Sequence, residues 1–344
     1  EQRSVKLLVQ TIFLVLAAVG LLVSLMTNLK PDCTVDWVVF WSTARTVVSG
    51  NLSDIYPGSV PQFPFVYPPP MLCFLLPLGY LAKPLAYLLI IAFDFVLLVL
   101  CCRQLLSLFP GMPEYRTGII LFLGSASWIL TIFLGHFTLV YLLLLLLALR
   151  LKRDDRPCAS GGVLALLMLK PTIGGLFPLL LFAERNWKSL LGWVAGVGSL
   201  LALSAFFPTS LWRAYAETSA QMYTLIDRMP PWKHHTLQAF WRSVVSPRVD
   251  DIWYLWVASV IPLLLLCFWC WLQPAKTHAE KTRLFGMAVL TLVVCSPYLY
   301  HYDAVILVVP VAVLAGLDSP RYFRHTKMAQ WGGYAVAFLF QQFS

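Results

Sequence analysis

Charged residues are scarce in this chain of 344 residues. Asp, Glu, Lys and Arg together make up 12% of it, whereas about a quarter is usual in soluble domains. Hydrophobic residues account for 59%, and the mean hydropathy is +0.76. The composition therefore predicts a membrane protein and excludes an ordinary soluble enzyme.

The chain also lacks a cysteine framework and a metal-ligand pattern. Most of its eight cysteines lie in or beside apolar runs, and the other two, Cys33 and Cys158, are predicted on opposite sides of the membrane. His234 and His235 have no accompanying carboxylate ligands, and adjacent histidines rarely bind one ion together. Basic residues are not clustered on a soluble surface. The sequence thus predicts no disulfide framework, no metal site and no nucleic-acid partner.

Long apolar runs stand where charge is missing. Residues 5–29, 85–102 and 254–272 approach the roughly 20 residues that cross a hydrocarbon core about 30 Å thick. Residues 5–29 are too long for a signal peptide and lack its cleavage pattern, so we expect the first transmembrane helix there. With the shorter runs, the sequence predicts an all-α polytopic membrane protein of about ten transmembrane helices, in a single membrane-embedded domain over residues 1–344.

The basic residues predict the orientation of these helices. Lys and Arg accumulate in short cytoplasmic loops. If the N-terminus is inside, most of the 25 Lys and Arg fall at inner turns. Residues 28–83 and 208–251 then form loops on the outer face, and residues 68–81 are expected to form a short helix dipping in from that side.

One apolar segment, residues 159–183, has basic residues at both ends and cannot be a single span under this orientation. Lys170 and Pro171 interrupt it, and proline breaks or kinks a helix. We therefore predict a broken, re-entrant pair of short helices with Lys170 near the turn. Such a backbone break at membrane depth is tolerated where it is protein-buried or lines a cavity.

A second special segment follows the first span. Residues 36–45 carry aromatic side chains at positions 37, 40 and 41, which predicts an amphipathic helix lying on the outer leaflet. Asp36 opens this helix. An N-cap is the simple interpretation of an acidic residue there; the functional interpretation is a general base that accepts a proton from an attacking hydroxyl.

The polar and aromatic residues that interrupt the apolar pattern are predicted to gather at the outer face, where ionisable groups beside spans are usually functional. They are Asp36, Arg45, Tyr56, Tyr67, His136, Lys170, His234, His235, Arg242, Tyr300, His301 and Asp303. Simpler interpretations exist for some of them: a histidine in a helical turn is often an interface residue, and tyrosines are common in an aromatic belt.

The order of these features resembles glycosyltransferase family 87, a GT-C-type family that includes polyprenol-phosphate-mannose-dependent mannosyltransferases. The resemblance runs along most of the chain. Its motifs are Asp36 with the following helix and residues 50–56, Phe-Val-Tyr-Pro-Pro at 65–69, Gly135-His136, Leu169-Lys170-Pro171, residues 235–242, and residues 296–303. The family often has Gly-Gln at 135–136 and Asn-Gln-Ser-Leu at 234–237, so a mannosyl specificity is not carried over.

The resemblance implies a GT-C fold and a membrane transferase that needs no cofactor. Its donor would be a polyprenyl-phosphate-linked sugar and its acceptor a lipid or glycan, on the periplasmic or exterior side of a bacterial inner membrane. Asp36 would be the base, with inversion at the sugar, and Lys170 and Arg242 would stabilise the leaving phosphate. Further substrate contacts would come from Arg45, Tyr56, Tyr67, His136, His235, Tyr300, His301 and Asp303.

Two other functions fit parts of the pattern. Broken helices and charges within the membrane also mark transporters, so a flippase for lipids or lipid-linked sugars is one alternative. It would be expected to show an inverted repeat, which the sequence lacks. A non-catalytic assembly subunit is the other, although it would not require Asp36.

Overall fold

The computed structural model describes residues 36–56, 64–109, 126–245, 249–274 and 277–316, with the isolated positions Leu22 and Met26 before them. Apart from those two positions, the predicted first span lies outside the described residues. The described part is helical and contains no β-strand. The all-α prediction is thereby confirmed for this part, and the total of about ten spans stays a prediction.

Short turns and a few 3₁₀ segments connect the α-helices of the described residues. In chain order they are α1 (Asp36–Val48), α2 (Pro70–Gly79), α3 (Lys83–Leu108), α4 (Ala126–Leu134), α5 (Thr138–Arg153), α6 (Pro157–Leu166), α7 (Pro171–Gly174), α8 (Phe177–Ala183), α9 (Trp187–Ser204), α10 (Ser210–Arg228), α11 (Leu237–Val245), α12 (Val249–Leu272), α13 (His278–Cys295) and α14 (Val308–Gly316). The 3₁₀ segments are Leu52–Asp54, Leu167–Leu169, Pro231–Lys233 and His301–Leu307.

Three of the described helices are long and apolar enough to cross a membrane: α3, α9 and the Ile252–Leu272 part of α12. Helix α3 and this part of α12 coincide with the apolar runs at 85–102 and 254–272. Most residues of the three helices are not buried inside the protein, so apolar side chains such as Leu191 and Leu265 remain exposed. A surface of this kind suits lipid, which agrees with a membrane protein. The predicted short helix at 68–81 is confirmed as α2.

Helices α6 and α9 pack at close range through glycines. A Cβ on Gly161 would lie 1.8 Å from the Ser189 carbonyl oxygen, and one on Gly192 would lie 2.0 Å from that of Cys158. Small residues allow membrane helices to approach until their backbones touch. This contact holds α6 against α9 and thereby fixes the start of the chain break that follows α6.

The aromatic face of α1 packs on protein, although the sequence analysis placed it in the outer leaflet. Trp37 is fully buried and stacks on Tyr87 of α3, with ring centroids 4.7 Å apart. Phe40 is 2% exposed and contacts Phe137, with centroids 4.8 Å apart. The helix itself is as predicted. Because its apolar face is anchored in the core, Asp36 at its first turn has a fixed position.

The predicted outer loop at 208–251 is mainly helical in the structure. It forms α10, α11 and the first residues of α12. Helix α10 buries Leu211, Thr218, Met222 and Ile226, which recur at helical spacing, and it exposes polar residues between them. The sequence analysis missed this amphipathic pattern because the segment is too polar to be a span.

Candidate active site

A buried ion pair joins the broken helix to the C-terminal part of the described chain. A residue before proline is disfavoured in the helical region, and Lys170 accordingly leaves the helix with φ −134° and ψ 88° before Pro171 begins α7. Its Nζ lies 2.7 Å from both carboxylate oxygens of Asp303. The predicted interruption at Lys170 is therefore confirmed, and its consequence is to direct a lysine into the protein interior.

Asp303 is completely buried and accepts several hydrogen bonds. Besides the two from Lys170, the Thr138 hydroxyl donates to Oδ1 at 3.0 Å, and the Tyr300 backbone N–H donates to Oδ2 at 3.3 Å. A buried ion pair is tolerated only when such bonds satisfy the remaining lone pairs. These bonds hold the Asp303 carboxyl group in one orientation.

A chain of hydrogen bonds continues from Asp303 towards the start of α2. His136 Nδ1 lies 3.0 Å from the Thr138 hydroxyl, and its Nε2 lies 2.9 Å from the Tyr67 hydroxyl. The Tyr56 hydroxyl in turn donates to the Tyr67 carbonyl oxygen at 2.9 Å. The segments around residues 56, 67 and 136 are thereby tied to the ion pair.

The turn before His136 requires glycine. Gly135 has φ +62°, and a Cβ there would lie 2.6 Å from the Trp37 Cβ. The N–H groups of Gly135 and His136 bond to the carbonyls of Ile132 and Thr131, the pattern that ends a helix with a left-handed residue. The turn places His136 beside α1 and at the beginning of α5.

Asp36 lies half-buried at the start of α1, next to this network. Its pKa is raised to about 6, mainly by burial and to a smaller extent by the negative charge of Asp303. A hydrogen bond with the Tyr302 side chain and the positive charges of Lys170 and Lys233 act in the opposite direction. The electrostatic interaction of Lys170 with Asp36 agrees with the prediction that both residues gather at the same face. A carboxylate with such a pKa is ionised at neutral pH and can still accept a proton.

Tyr302 connects Asp36 to the buried pair. Its ring centroid lies 4.1 Å from that of His136 and 5.3 Å from that of Tyr300, which stacks on it. The Lys170 ammonium lies 5.6 Å from the same ring. Tyr302 thus packs against His136 and Tyr300 while its side chain hydrogen-bonds with Asp36.

A second group of residues adjoins Tyr300 from the segment between α10 and α11. An isolated antiparallel bridge pairs His234 with Tyr300, and the Tyr300 hydroxyl donates to Met229 Sδ at 3.3 Å. His301 Nδ1 lies 3.4 Å from the Lys233 carbonyl oxygen. The Arg242 guanidinium donates two bonds of 2.7 Å, to the carbonyl oxygens of Ile226 and Met229, and so fixes the end of α10.

Most of the residues that the sequence analysis selected are brought together. Direct contacts or charge interactions link Asp36, Tyr56, Tyr67, His136, Lys170, Tyr300 and Asp303, and His235, His301 and Arg242 lie on the adjoining segments. Arg45 is separate. It lies nine positions along α1, which is about 13 Å of helix rise, and it donates to the Gly79 carbonyl at the end of α2.

Three residues of this cluster were missed as individual site residues. Thr138 gave no signal because an isolated threonine at a helix start is common. Tyr302 stood in a recognised motif, but an aromatic belt explained it. Lys233 is an ordinary loop lysine in the sequence, and its charge reaches Asp36 only in the folded protein. Among the residues that the structure describes, no group of three or more His, Cys, Asp or Glu is placed to hold a metal ion.

Comparison with protein families gives one match, to the model of glycosyltransferase family 87 over residues 65–297. No curated protein and no solved structure matches the chain. The match covers more than half of the chain, which therefore belongs to glycosyltransferase family 87 and is a membrane glycosyltransferase by family and composition. The matched range contains Tyr67, His136 and Lys170. It excludes Asp36 and Asp303, whose roles are argued from geometry.

Proposed function

We propose that this family member transfers a sugar from a polyprenyl-phosphate carrier to a hydroxyl group of a lipid or glycan acceptor. Transfer takes place at the outer face of a bacterial inner membrane, and Asp36 is the general base. The observation that carries the proposal is the position of Asp36, half-buried and bonded to Tyr302 beside the Lys170–Asp303 pair.

The reaction requires one base and one displacement. The acceptor hydroxyl oxygen attacks the anomeric carbon, the bond from that carbon to the phosphate oxygen breaks, and the hydroxyl proton passes to Asp36. The polyprenyl phosphate leaves with the bonding electrons. A single displacement inverts the configuration of the sugar. With a pKa raised to about 6, Asp36 is a better proton acceptor than a solvated aspartate and is still mostly ionised at pH 7.

Positive charges near Asp36 and on the adjoining segment around His234 stabilise the leaving phosphate. Lys170 and Arg242 are the proposed contributors, and Lys233 adds a third cation that acts on Asp36. Lys170 donates two hydrogen bonds to Asp303, so it would stabilise the phosphate mainly as a fixed nearby positive charge. The carbonyl oxygens of Ile226 and Met229 accept hydrogen bonds from Nη1 and Nη2 of Arg242 and fix the position of its charge.

The membrane supplies both the donor and its route. The exposed apolar surfaces of α3, α9 and α12 suit lipid, and a polyprenyl chain can approach sideways between such helices. A nucleotide sugar is absent from the outer side of the membrane, which favours a lipid-phosphate donor. Membrane lipids, the donor and the acceptor are thus the proposed partners. The family assignment favours this enzyme over a flippase or a non-catalytic subunit.

The proposal is tested by replacing Asp36 with Asn, which keeps size and polarity but removes the basic carboxylate. Transfer from radiolabelled polyprenyl-phosphate sugars should fall by about 10²-fold or more in nanodiscs, while donor binding is kept. Asp54→Asn is the matched control, because Asp54 is exposed on the 3₁₀ turn after α1. Arg242→Ala should weaken donor binding and leave the base in place.

Two outcomes would overturn the proposal. Near-normal turnover by Asp36→Asn would remove Asp36 from the chemistry. Movement of labelled sugar across proteoliposome membranes without attachment to an acceptor would instead assign the protein to lipid-linked sugar transport.

A further inference from the structure

His234 is a buried histidine whose ring nitrogens have no hydrogen-bond partner in the described part of the chain. The residue is 4% exposed. Neither Nδ1 nor Nε2 has a hydrogen-bond partner among the described residues, and both atoms are shielded from solvent. The neighbouring His235 has the same property at Nε2. Buried polar groups are nearly always hydrogen-bonded, so these three unpartnered ring nitrogens indicate a bound group that completes them.

The protonation state of His234 determines which group can do so. Its pKa is lowered to about 4, mainly by burial and to a smaller extent by the positive charge of Arg242 and the nearby histidines. The ring is therefore neutral at physiological pH. A neutral imidazole has one N–H donor and one acceptor nitrogen. Its ligand must accept one hydrogen bond and donate another.

This requirement separates sugar hydroxyls from phosphate. An ionised phosphate oxygen only accepts hydrogen bonds, so it leaves the acceptor nitrogen of a neutral ring unsatisfied. A hydroxyl group both donates and accepts, and neighbouring hydroxyls on a sugar offer both roles across a few ångströms. The cations that suit phosphate are separate residues, Lys233 and Arg242, on either side of the histidines in the sequence.

Two tyrosines connect His234 to the proposed base. It pairs with Tyr300 through an antiparallel bridge, and the His235 N–H donates to the Leu299 carbonyl oxygen at 3.1 Å. The rings of His234 and Tyr300 are 4.7 Å apart, and Tyr300 stacks on Tyr302, the hydrogen-bond partner of Asp36. A sugar held at Asp36 thus lies within a few side chains of these imidazoles.

We infer that His234, assisted by His235, hydrogen-bonds hydroxyl groups of the transferred sugar and determines which sugar the enzyme accepts. The inference rests on the proposed transferase function. It makes the two histidines specificity-determining residues. Asp36 accepts the proton, and the neighbouring cations stabilise the phosphate.

The test compares donors that differ by one hydroxyl. Polyprenyl-phosphate mannose, glucose and galactose are first assayed with the wild-type protein, and single-deoxy analogues of the best donor are then prepared. In the wild type, kcat/KM should fall about 10- to 100-fold for at least one deoxy donor, because the missing hydroxyl group leaves a buried imidazole without its hydrogen-bond partner. In His234→Phe, the parent and that deoxy donor should react at similar rates.

Two further variants make the result interpretable. His234→Gln retains a donor and an acceptor in a different geometry, so its discrimination should be lower than that of the wild type but not lost. If His234→Phe does not fold, this reduction in His234→Gln is the result that tests the inference. His278→Phe is the matched control because His278 is exposed at the first turn of α13. Its deoxy discrimination should equal that of the wild type.

The inference and the proposed function fail in different ways. If the wild type transfers no sugar from any of the three donors, or if Asp36→Asn is fully active, the proposed function is wrong and the inference is withdrawn with it. If the wild type transfers sugar but discriminates against no deoxy donor, or if His234→Phe and His234→Gln keep the wild-type discrimination, only the inference is overturned.

Discussion

Two buried lysine–carboxylate pairs lie at opposite ends of the hairpin formed by α5 and α6. Lys170 Nζ lies 2.7 Å from Asp303, and Lys152 Nζ lies 2.5 Å from Glu184. Thr138, which binds Asp303, and Lys152 are separated by 14 positions of α5, about 20 Å of helix rise. The two lysine side chains are about equally buried. The chain therefore contains its own matched comparison.

The neighbours of the two pairs differ. Around Asp303, the hydroxyl of Thr138 and the backbone of Tyr300 add further bonds, and the charges of both pair members act on Asp36. At the other end, the Lys152 ammonium lies 4.8 Å from the Trp271 ring centroid, and the pair joins α5 to the end of α8. The same residue types thus perform different tasks: one pair connects helices, and the other also sets the electrostatic environment of the proposed base.

The largest expected effect comes from breaking the pair beside Asp36. Asp303→Asn leaves the Lys170 charge buried without its counter-ion, which costs about 3–5 kcal/mol of stability when one partner of such a pair is removed. The loss of orientation and charge near Asp36 should also reduce transfer by about 10²-fold. Thermal unfolding and single-turnover assays in nanodiscs measure the two effects on the same preparation.

A double variant separates stability from chemistry. Lys170→Met combined with Asp303→Leu replaces the pair by apolar side chains, and such replacements are often neutral or stabilising. We expect the melting temperature to recover towards that of the wild type while transfer stays low. Normal transfer by the double variant would show that this pair, like the one at Lys152, only connects helices.

The next effect is a pH dependence that only one end of the hairpin should control. Asp36 acts as a base in its ionised form, so activity should be high above its pKa of about 6 and should fall about 10-fold for each pH unit below it. Tyr302→Phe removes a hydrogen bond that lowers this pKa, and the acidic limb should therefore move to higher pH. A pH–rate profile of kcat/KM measures the shift. An unchanged limb in Tyr302→Phe would contradict the assignment of Asp36 as the titrating base.

Local signals in the sequence predicted some parts of this arrangement well. Proline limits the conformation of the residue before it, so the break at Lys170 could be located without a structure. Apolar runs of sufficient length predicted α3 and most of α12. The helix that begins at Asp36 was also predicted, because its aromatic residues recur at helical spacing.

Other parts depend on contacts between distant positions and could not be predicted from local patterns. Lys170 and Asp303 are 133 residues apart in the sequence, and nothing in either segment specifies the other as its partner. Trp37 was assigned to lipid because an apolar helical face has the same pattern whether it contacts lipid or protein. The orphaned ring of His234 is a property of its surroundings in the fold, so the sequence showed two adjacent histidines and no reason to assign them to a sugar.

The smallest expected effect on activity comes from the pair far from Asp36. Glu184→Gln removes the charge opposite Lys152 but keeps an oxygen that can accept its hydrogen bond. Because the Glu184 side chain is 16% exposed, water can solvate part of the uncompensated charge, and the stability loss should be below the approximately 3–5 kcal/mol expected for a fully buried pair. About 20 Å of α5 separates this change from the site, so kcat/KM should stay within about two-fold of the wild type and the acidic limb should not move.

The thermal-unfolding assay and pH–rate profile used for Asp303→Asn and Tyr302→Phe measure both quantities. A loss of transfer comparable to that of Asp303→Asn, with the protein still folded, would mean that the two ends of the hairpin are coupled and that proximity to Asp36 does not explain their difference.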